Sequence, residues 1–221
     1  MSRDKHNSKE LEYIRELFAL QCDALSEVGQ ELPTEERIMQ IGPEEGKLIH
    51  FLAKLCGAKK IVEVGVLAGY SAICMAKALP DDGHLYAIER NYKRIEPSLQ
   101  NFEKCAVADK ITLLEGDAVE LLEEISEAGP FDMIFIDADK GGYCSYLDWA
   151  EKNIRKGGLI IGDNTLFFGH IYKSEKELPE GTSLKSYNAI RQFNQRLSDS
   201  SKYTSIIIPS IEGLTVAIKN F

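Results

Sequence analysis

The sequence predicts an α/β fold whose mostly parallel, seven-stranded sheet ends in an antiparallel hairpin. Two observations carry this. From Ile61 to Asp163, short apolar runs alternate with stretches of helical spacing, and such alternation makes a parallel sheet with right-handed crossovers. Near the end, Tyr203–Ile208 and Leu214–Ile218 both read as strands, with only Pro209-Ser210-Ile211-Glu212-Gly213 between them. So short a link holds no crossover helix, and the final pair must be antiparallel.

The elements follow in order. Residues 8–28 read as one helix, with Leu11, Ile14, Leu17, Phe18 and Cys22 on its apolar face. A second helix has Pro43 near its start, carries Leu48, Ile49, Leu52 and Leu55, and stops at Gly57. Strands are expected at 61–64, 84–89, 111–114, 131–137 and 158–163, and helices at 71–79, 92–105, 119–125 and 146–154. There is no repeat, low-complexity tract or long linker. One domain over 1–221 is expected, with N-terminal helices in 1–57 and the α/β core in 58–221.

Composition narrows the partners. Hydrophobic residues make up 44% and charged residues 28%, close to the globular average. A net charge of −9 disfavours broad binding of a nucleic-acid backbone, though it does not exclude a small basic patch. No stretch approaches the ~20 apolar residues that span a bilayer. Met1–His6 lacks the apolar core of a signal peptide, so the expected location is the cytoplasm. The cysteines at 22, 56, 74, 105 and 144 are scattered and form no CxxC pair, which reads as reduced thiols.

In such a sheet, ligands sit beyond the carboxyl ends of the strands. The first strand runs into Glu63-Val64-Gly65-Val66-Leu67-Ala68-Gly69-Tyr70-Ser71. Gly65 and Gly69 let the backbone turn sharply and approach a ligand, and Ser71 opens a helix whose free N–H groups favour a carboxylate. The pattern is not GxGxxG, which argues against a pyrophosphate cofactor; a purely structural turn would use two glycines equally well. Glu89 ends the second strand, where an acid suits ribose hydroxyls, unless it is simply an exposed strand-end carboxylate. The third strand runs into Gly116-Asp117-Ala118, groups suited to an adenine edge. Together the three ends predict a nucleoside site.

The next two strand ends carry Asp137-Ala138-Asp139-Lys140 and Asp163-Asn164. Asp137, Asp163 and Asn164 offer three oxygen donors, a set suited to a hard cation such as Mg²⁺. Capping of the following helices is the alternative. Lys140 beside these acids reads as a general base, or else as an ordinary surface lysine.

These motifs resemble the cation-dependent class I S-adenosylmethionine O-methyltransferase family, of the caffeoyl-CoA and catechol O-methyltransferase type and particularly its small bacterial members. The resemblance runs from Met39 through the final hairpin and implies a Rossmann-like methyltransferase fold. It also implies S-adenosylmethionine as cofactor, with Met39, Gly65 and Ser71 at its methionine end and Asp137 close by. Glu89 would hold the ribose and Ala118 the adenine through its backbone; Glu63 and Asp117 lie in the same motifs and complete the cofactor set. By the same likeness, Asp137, Asp163 and Asn164 bind Mg²⁺, Mn²⁺ or Ca²⁺, Lys140 is the general base, and Asp137 and Lys140 are the catalytic pair. Glu89 stands where many relatives carry Asp, and Glu212-Gly213 where Asp-Gly is usual; both keep the charge.

The implied activity is methylation of a vicinal dihydroxy, catechol-like phenolic acceptor, with a homodimer as the expected assembly. Methylation of 5-hydroxyuridine in tRNA is the alternative. A nucleotide-binding oxidoreductase is more distant, disfavoured by the missing GxGxxG and by the hairpin. The aromatic segment around Phe167 and Phe168 fits a wall of the acceptor pocket as well as it fits core or dimer contacts. The polar stretch 173–183 reads as a mobile lid or loop over the site.

Overall fold

The computed structural model describes residues 8–210 and 212–221; the signal-peptide reading of Met1–His6 and the hairpin residue Ile211 lie outside them. Its strands are β1 (Lys60–Val64), β2 (His84–Glu89), β3 (Ile111–Glu115), β4 (Phe131–Ile136), β5 (Ile154–Gly162), β6 (Tyr203–Ile208) and β7 (Leu214–Lys219). They form a sheet in the order β3-β2-β1-β4-β5-β7-β6. The chain groups into two compact units, Met1–Asp117 and Ala118–Phe221.

In the first unit β1, β2 and β3 pair in parallel, with Val62 opposite Tyr86 and Tyr86 opposite Thr112. Ile61, Val62 and Val64 are buried, as expected for a strand covered on both faces. The helix expected over residues 8–28 is broken. α1 (Lys9–Phe18) ends at Ala19, which leaves helical geometry with φ −124°, and α2 (Asp23–Ser26) starts anew after an extended Cys22. Between them the Gln21 amide is drawn away to the Tyr70 hydroxyl. α3 (Thr34–Arg37) follows Pro33. α4 (Pro43–Leu55) has its proline in the first turn, its Glu45 carboxylate accepting from Gly42 N at 2.9 Å, and Gly57 in the left-handed region just past its end. α5 (Tyr70–Ala76) is buried along its whole length, and α6 (Ile95–Lys104) completes the unit.

In the second unit β4 and β5 are parallel, with Ile136 opposite Gly162. β7 runs antiparallel to both β5 and β6, as the short link after Ile208 requires. α7 (Ala118–Glu124) and α8 (Tyr143–Asn153) fall where expected. α9 (Leu184–Leu197) does not correspond to any expected element. Its buried residues, Tyr187, Ile190, Phe193 and Leu197, follow helical spacing, and Ser183 caps it by accepting from Ser186 N. Segment 173–183 is tied to this helix: Tyr187 donates its hydroxyl to Lys173 O, and Asn188 Nδ2 donates to Glu175 Oε1 at 3.0 Å. Among the described residues no helix is long and apolar enough to cross a membrane.

Candidate active site

The first unit carries the expected cofactor residues on its strand ends. Gly65 and Gly69 have φ of 93° and 89°, conformations that cost glycine little and other residues much. A Cβ on Gly69 would collide with the Phe102 ring, so closeness as well as torsion requires glycine there. Beneath this loop the Ser71 hydroxyl donates to the buried Glu63 carboxylate. Glu63 thereby holds the first turn of α5 against the end of β1.

Glu89 is buried at the end of β2, not exposed. Its Oε2 accepts from Val66 N at 3.1 Å and Leu67 N at 3.0 Å, and its Oε1 accepts from Asn91 N at 2.8 Å. One carboxylate thus fixes the glycine loop and the turn after its own strand. An ionised carboxylate has about four acceptor positions, so these bonds leave room for a ligand hydroxyl. Arg94 Nη1 lies 3.7 Å from Glu89 and its Nε donates to Glu36 at 2.9 Å. Met39, a short way past Glu36, is exposed. At the end of β3, Gly116 N donates to Glu89 O at 3.0 Å, and Asp117 is exposed beside it. Ala118 opens α7 in the second unit and is buried.

The second unit gathers the expected metal and base residues. Asp137 and Asp163 each follow the last residue of adjacent parallel strands, and Asp163 N donates to Ile136 O at 2.9 Å, extending the pairing by one step. Asp163 and Asn164 are buried, and Asp163 Oδ1 accepts from Asn164 N at 2.8 Å. Asn164 sits in the left-handed region, φ 57°, which asparagine tolerates better than most residues. Lys140 Nζ lies 3.1 Å from Asp137 Oδ1 and 2.9 Å from the Tyr143 hydroxyl. Lys140 is mostly covered and is not a free surface lysine.

Two residues of this cluster, Tyr143 and Glu212, carry no site role in the sequence reading, which marks Glu212 only as a charge-keeping departure from the family pattern. Tyr143 is fully buried; its hydroxyl reaches Asp163 O at 2.7 Å and Ile136 O at 3.0 Å. Burial, helped by the nearby Asp137 and Asp163 carboxylates, pushes its phenol well above the ordinary value, so it stays protonated. The signal was available, since a tyrosine three residues after Lys140 shares its helical face. Glu212 is the other: its buried carboxylate accepts from Asn164 Nδ2 across 48 residues of sequence, and no local pattern reports such a contact.

Two carboxylates and an amide oxygen are the donor chemistry of a hard divalent cation, and the Asn164 amide, with its nitrogen bonded to Glu212, has its oxygen left for that purpose. Among the described residues no group of three or more His, Cys, Asp or Glu side chains gathers as a metal site, so this mixed set is the candidate. Of the aromatic segment, Phe167 turns into the core edge-on to Tyr187, ring centroids 5.5 Å apart, while Phe168 stays exposed.

The chain matches the model of the O-methyltransferase family over residues 16–220. It is 34% identical to a catechol O-methyltransferase of Niastella koreensis, covering 93% of this chain and 94% of that one. It is 35% identical to caffeoyl-CoA O-methyltransferase 1 of Eucalyptus globulus, covering 81% and 74%. Among solved structures, the O-methyltransferase TomG of Streptomyces achromogenes, in complex with SAM, aligns over 100% of both chains with a TM-score of 0.85 and 30% identity. An O-methyltransferase of Bacillus cereus in complex with SAH aligns over 95% and 96%, with a TM-score of 0.82 and 28% identity. A family match across nearly the whole chain, with relatives above 30% identity at comparable length, is decisive: the chain belongs to the O-methyltransferase family.

Proposed function

We propose that this O-methyltransferase moves the methyl group of S-adenosylmethionine to one hydroxyl of a vicinal dihydroxy phenolic acceptor, with a divalent cation at Asp137, Asp163 and Asn164. The observation that carries the reading is the buried Asp163–Asn164 pair beside Asp137, with Lys140 Nζ 3.1 Å from the Asp137 carboxylate. The catechol O-methyltransferase relative supports the acceptor class.

Each residue then has a task. Met39, Gly65 and Ser71 bind the methionine end of the cofactor, while Glu63 supports the loop. Glu89 takes the ribose hydroxyls, and Asp117 and Ala118 take the adenine. Asp137, Asp163 and Asn164 hold the cation, Mg²⁺ by preference for its oxygen ligands. When bound, the cation supplies Lewis acidity that makes the acceptor hydroxyl easier to deprotonate. Lys140, as the neutral amine, receives that proton and becomes the ammonium, with Nζ placed by Asp137 and Tyr143. Orienting acceptor and methyl donor supplies much of the remaining rate. We further propose a homodimer, and a reducing compartment such as the cytoplasm, in keeping with five free cysteines.

The test is transfer of labelled methyl from S-adenosylmethionine to catechol, with Mg²⁺ and with EDTA, for wild type and Lys140→Ala. EDTA is expected to abolish transfer, and Lys140→Ala to lower kcat by about 10²–10⁴, the usual contribution of a general base. Undiminished turnover in EDTA would remove the cation from the reaction. Transfer to 5-hydroxyuridine in tRNA but not to catechol would replace the phenolic acceptor. Failure to bind S-adenosylmethionine would overturn the proposal outright.

A further inference from the structure

We infer that Glu212 is a positioning residue of the cation site, setting which face of the Asn164 amide is presented to the metal. The inference rests on the cation reading of Asp137, Asp163 and Asn164 given above.

An asparagine amide has an oxygen that can ligate a cation and a nitrogen that cannot, and a half-turn about its last bond exchanges them. Something must choose between the two. Glu212 does so by chemistry: an ionised carboxylate is an acceptor only, so only the Asn164 NH₂ group can face it. Nδ2 does donate to Glu212, which turns Oδ1 the other way. With the nitrogen toward the cation, the site would lose a ligand and gain a repulsive N–H dipole.

Glu212 can select because it is itself fixed. Its side chain is buried, with the residue 7% exposed, and its carbonyl accepts from Leu166 N at 2.9 Å. The next carbonyl, Gly213 O, accepts from Thr165 N at 2.9 Å and from Thr165 Oγ1 at 3.1 Å. The residues leading into β7 are therefore bonded to the residues that follow the Asp163–Asn164 pair. Gly213 allows this closeness. It has φ 75°, and a Cβ there would lie 2.8 Å from Leu166 N and collide with the Leu166 side chain. Asn194 Nδ2 secures the same loop by donating to Thr165 O at 2.8 Å. An outer carboxylate that orients a ligand in this way commonly carries 10–100-fold of metal affinity, roughly, by analogy with other second-layer partners.

The experiment is Mn²⁺ titration of the full chain, with free Mn²⁺ read by electron paramagnetic resonance and S-adenosylmethionine affinity measured in parallel. Glu212→Ala is expected to weaken Mn²⁺ by about 10–100-fold while leaving S-adenosylmethionine affinity unchanged. Glu212→Gln keeps an oxygen that can accept from Nδ2, and is expected to recover most of the loss. The double variant Glu212→Ala with Asn164→Ala should bind no worse than Asn164→Ala alone, since the two act as one unit. If Glu212→Ala does not fold, Glu212→Met, similar in length and without oxygen, takes its place. Wild-type Mn²⁺ affinity in the Ala or Met variant overturns the inference. So does additivity in the double variant, and so does a Gln variant as weak as Ala, which would make the effect one of charge. A wild-type chain that binds no Mn²⁺ overturns the cation reading itself, and with it this inference.

Discussion

Tyr143 supplies a phenolic proton to a place where two main-chain carbonyls, Asp163 O and Ile136 O, lie within reach at 2.7 and 3.0 Å. Its oxygen also accepts from Lys140 Nζ at 2.9 Å. The residue therefore joins Lys140, the end of β4 and Asp163 through one buried oxygen. Tyr143→Phe keeps the ring and removes that oxygen. The loss of a buried partner is expected to destabilise the fold by about 1–3 kcal/mol. A loosened Lys140 should also lower kcat about tenfold, the equivalent of roughly 1.4 kcal/mol in the barrier, with KM for S-adenosylmethionine unchanged. Urea unfolding and steady-state kinetics on the same preparation check both. A variant with lowered stability and wild-type kcat would confine Tyr143 to packing.

At the scale of elements, α1 and α4 leave apolar side chains in solvent. Phe18 and Leu55 are 66% and 69% exposed, and Leu17 and Phe51 are exposed with them. Arg15 on α1 holds Glu44 on α4 through bonds of 2.7 and 2.9 Å, so the two helices present these side chains from a fixed pair. Large apolar side chains left exposed on two joined helices suit a partner surface, and the proposed homodimer would cover them. Sedimentation velocity is expected to give twice the 24.7 kDa chain mass, and Phe51→Lys with Leu55→Asp should shift it to monomer. Wild type sedimenting as a monomer would end the dimer proposal. The legibility of the sequence follows the same physics. Strands β2 and β6 are readable to the residue: β2 is a mostly buried run, and β6, largely exposed, is marked by β-branched residues between turn-forming ends. α9 is less legible: Tyr187, Ile190, Phe193 and Leu197 mark its buried face, but the polar positions between them mask the spacing. The break at Ala19–Cys22 depends on Gln21 reaching Tyr70, a contact across 49 residues that periodicity does not report. The site divides likewise: Asp137, Lys140, Asp163 and Asn164 follow from strand ends, whereas Glu212 needed the pairing of β7 with β5.

Across the whole molecule, 35 acidic residues face 26 basic ones, and the titrations with the clearest consequence for stability lie on the alkaline side. In the first unit burial pushes the Cys74 thiol up to about 12 and also raises the Tyr70 phenol. In the second, burial and then a hydrogen bond to Glu151 raise the Tyr203 phenol. A folded-state pKa above the unfolded value means that the native chain keeps a proton the unfolded chain releases. That stability is fully present below the ordinary values, 9.0 for the thiol and 10.0 for the phenols. It is lost as pH rises from there through the folded-state values. Each retained proton contributes a slope of about 1.4 kcal/mol per pH unit. Lys219 opposes the trend: burial lowers its pKa, so folding gains as pH rises toward 10.5. Cys22 is lowered as well, but Cys105, Tyr143 and Cys144 are raised with the other three, so the balance is a net fall. The urea midpoint, measured in reductant, should hold between about pH 7 and pH 8 and drop steeply between about pH 9.5 and pH 11. Tyr70→Phe should remove one proton's share of that slope, so that its curve converges on wild type as pH rises. Parallel curves would mean that the Tyr70 proton is released equally in both states and that burial of its hydroxyl carries no alkaline penalty.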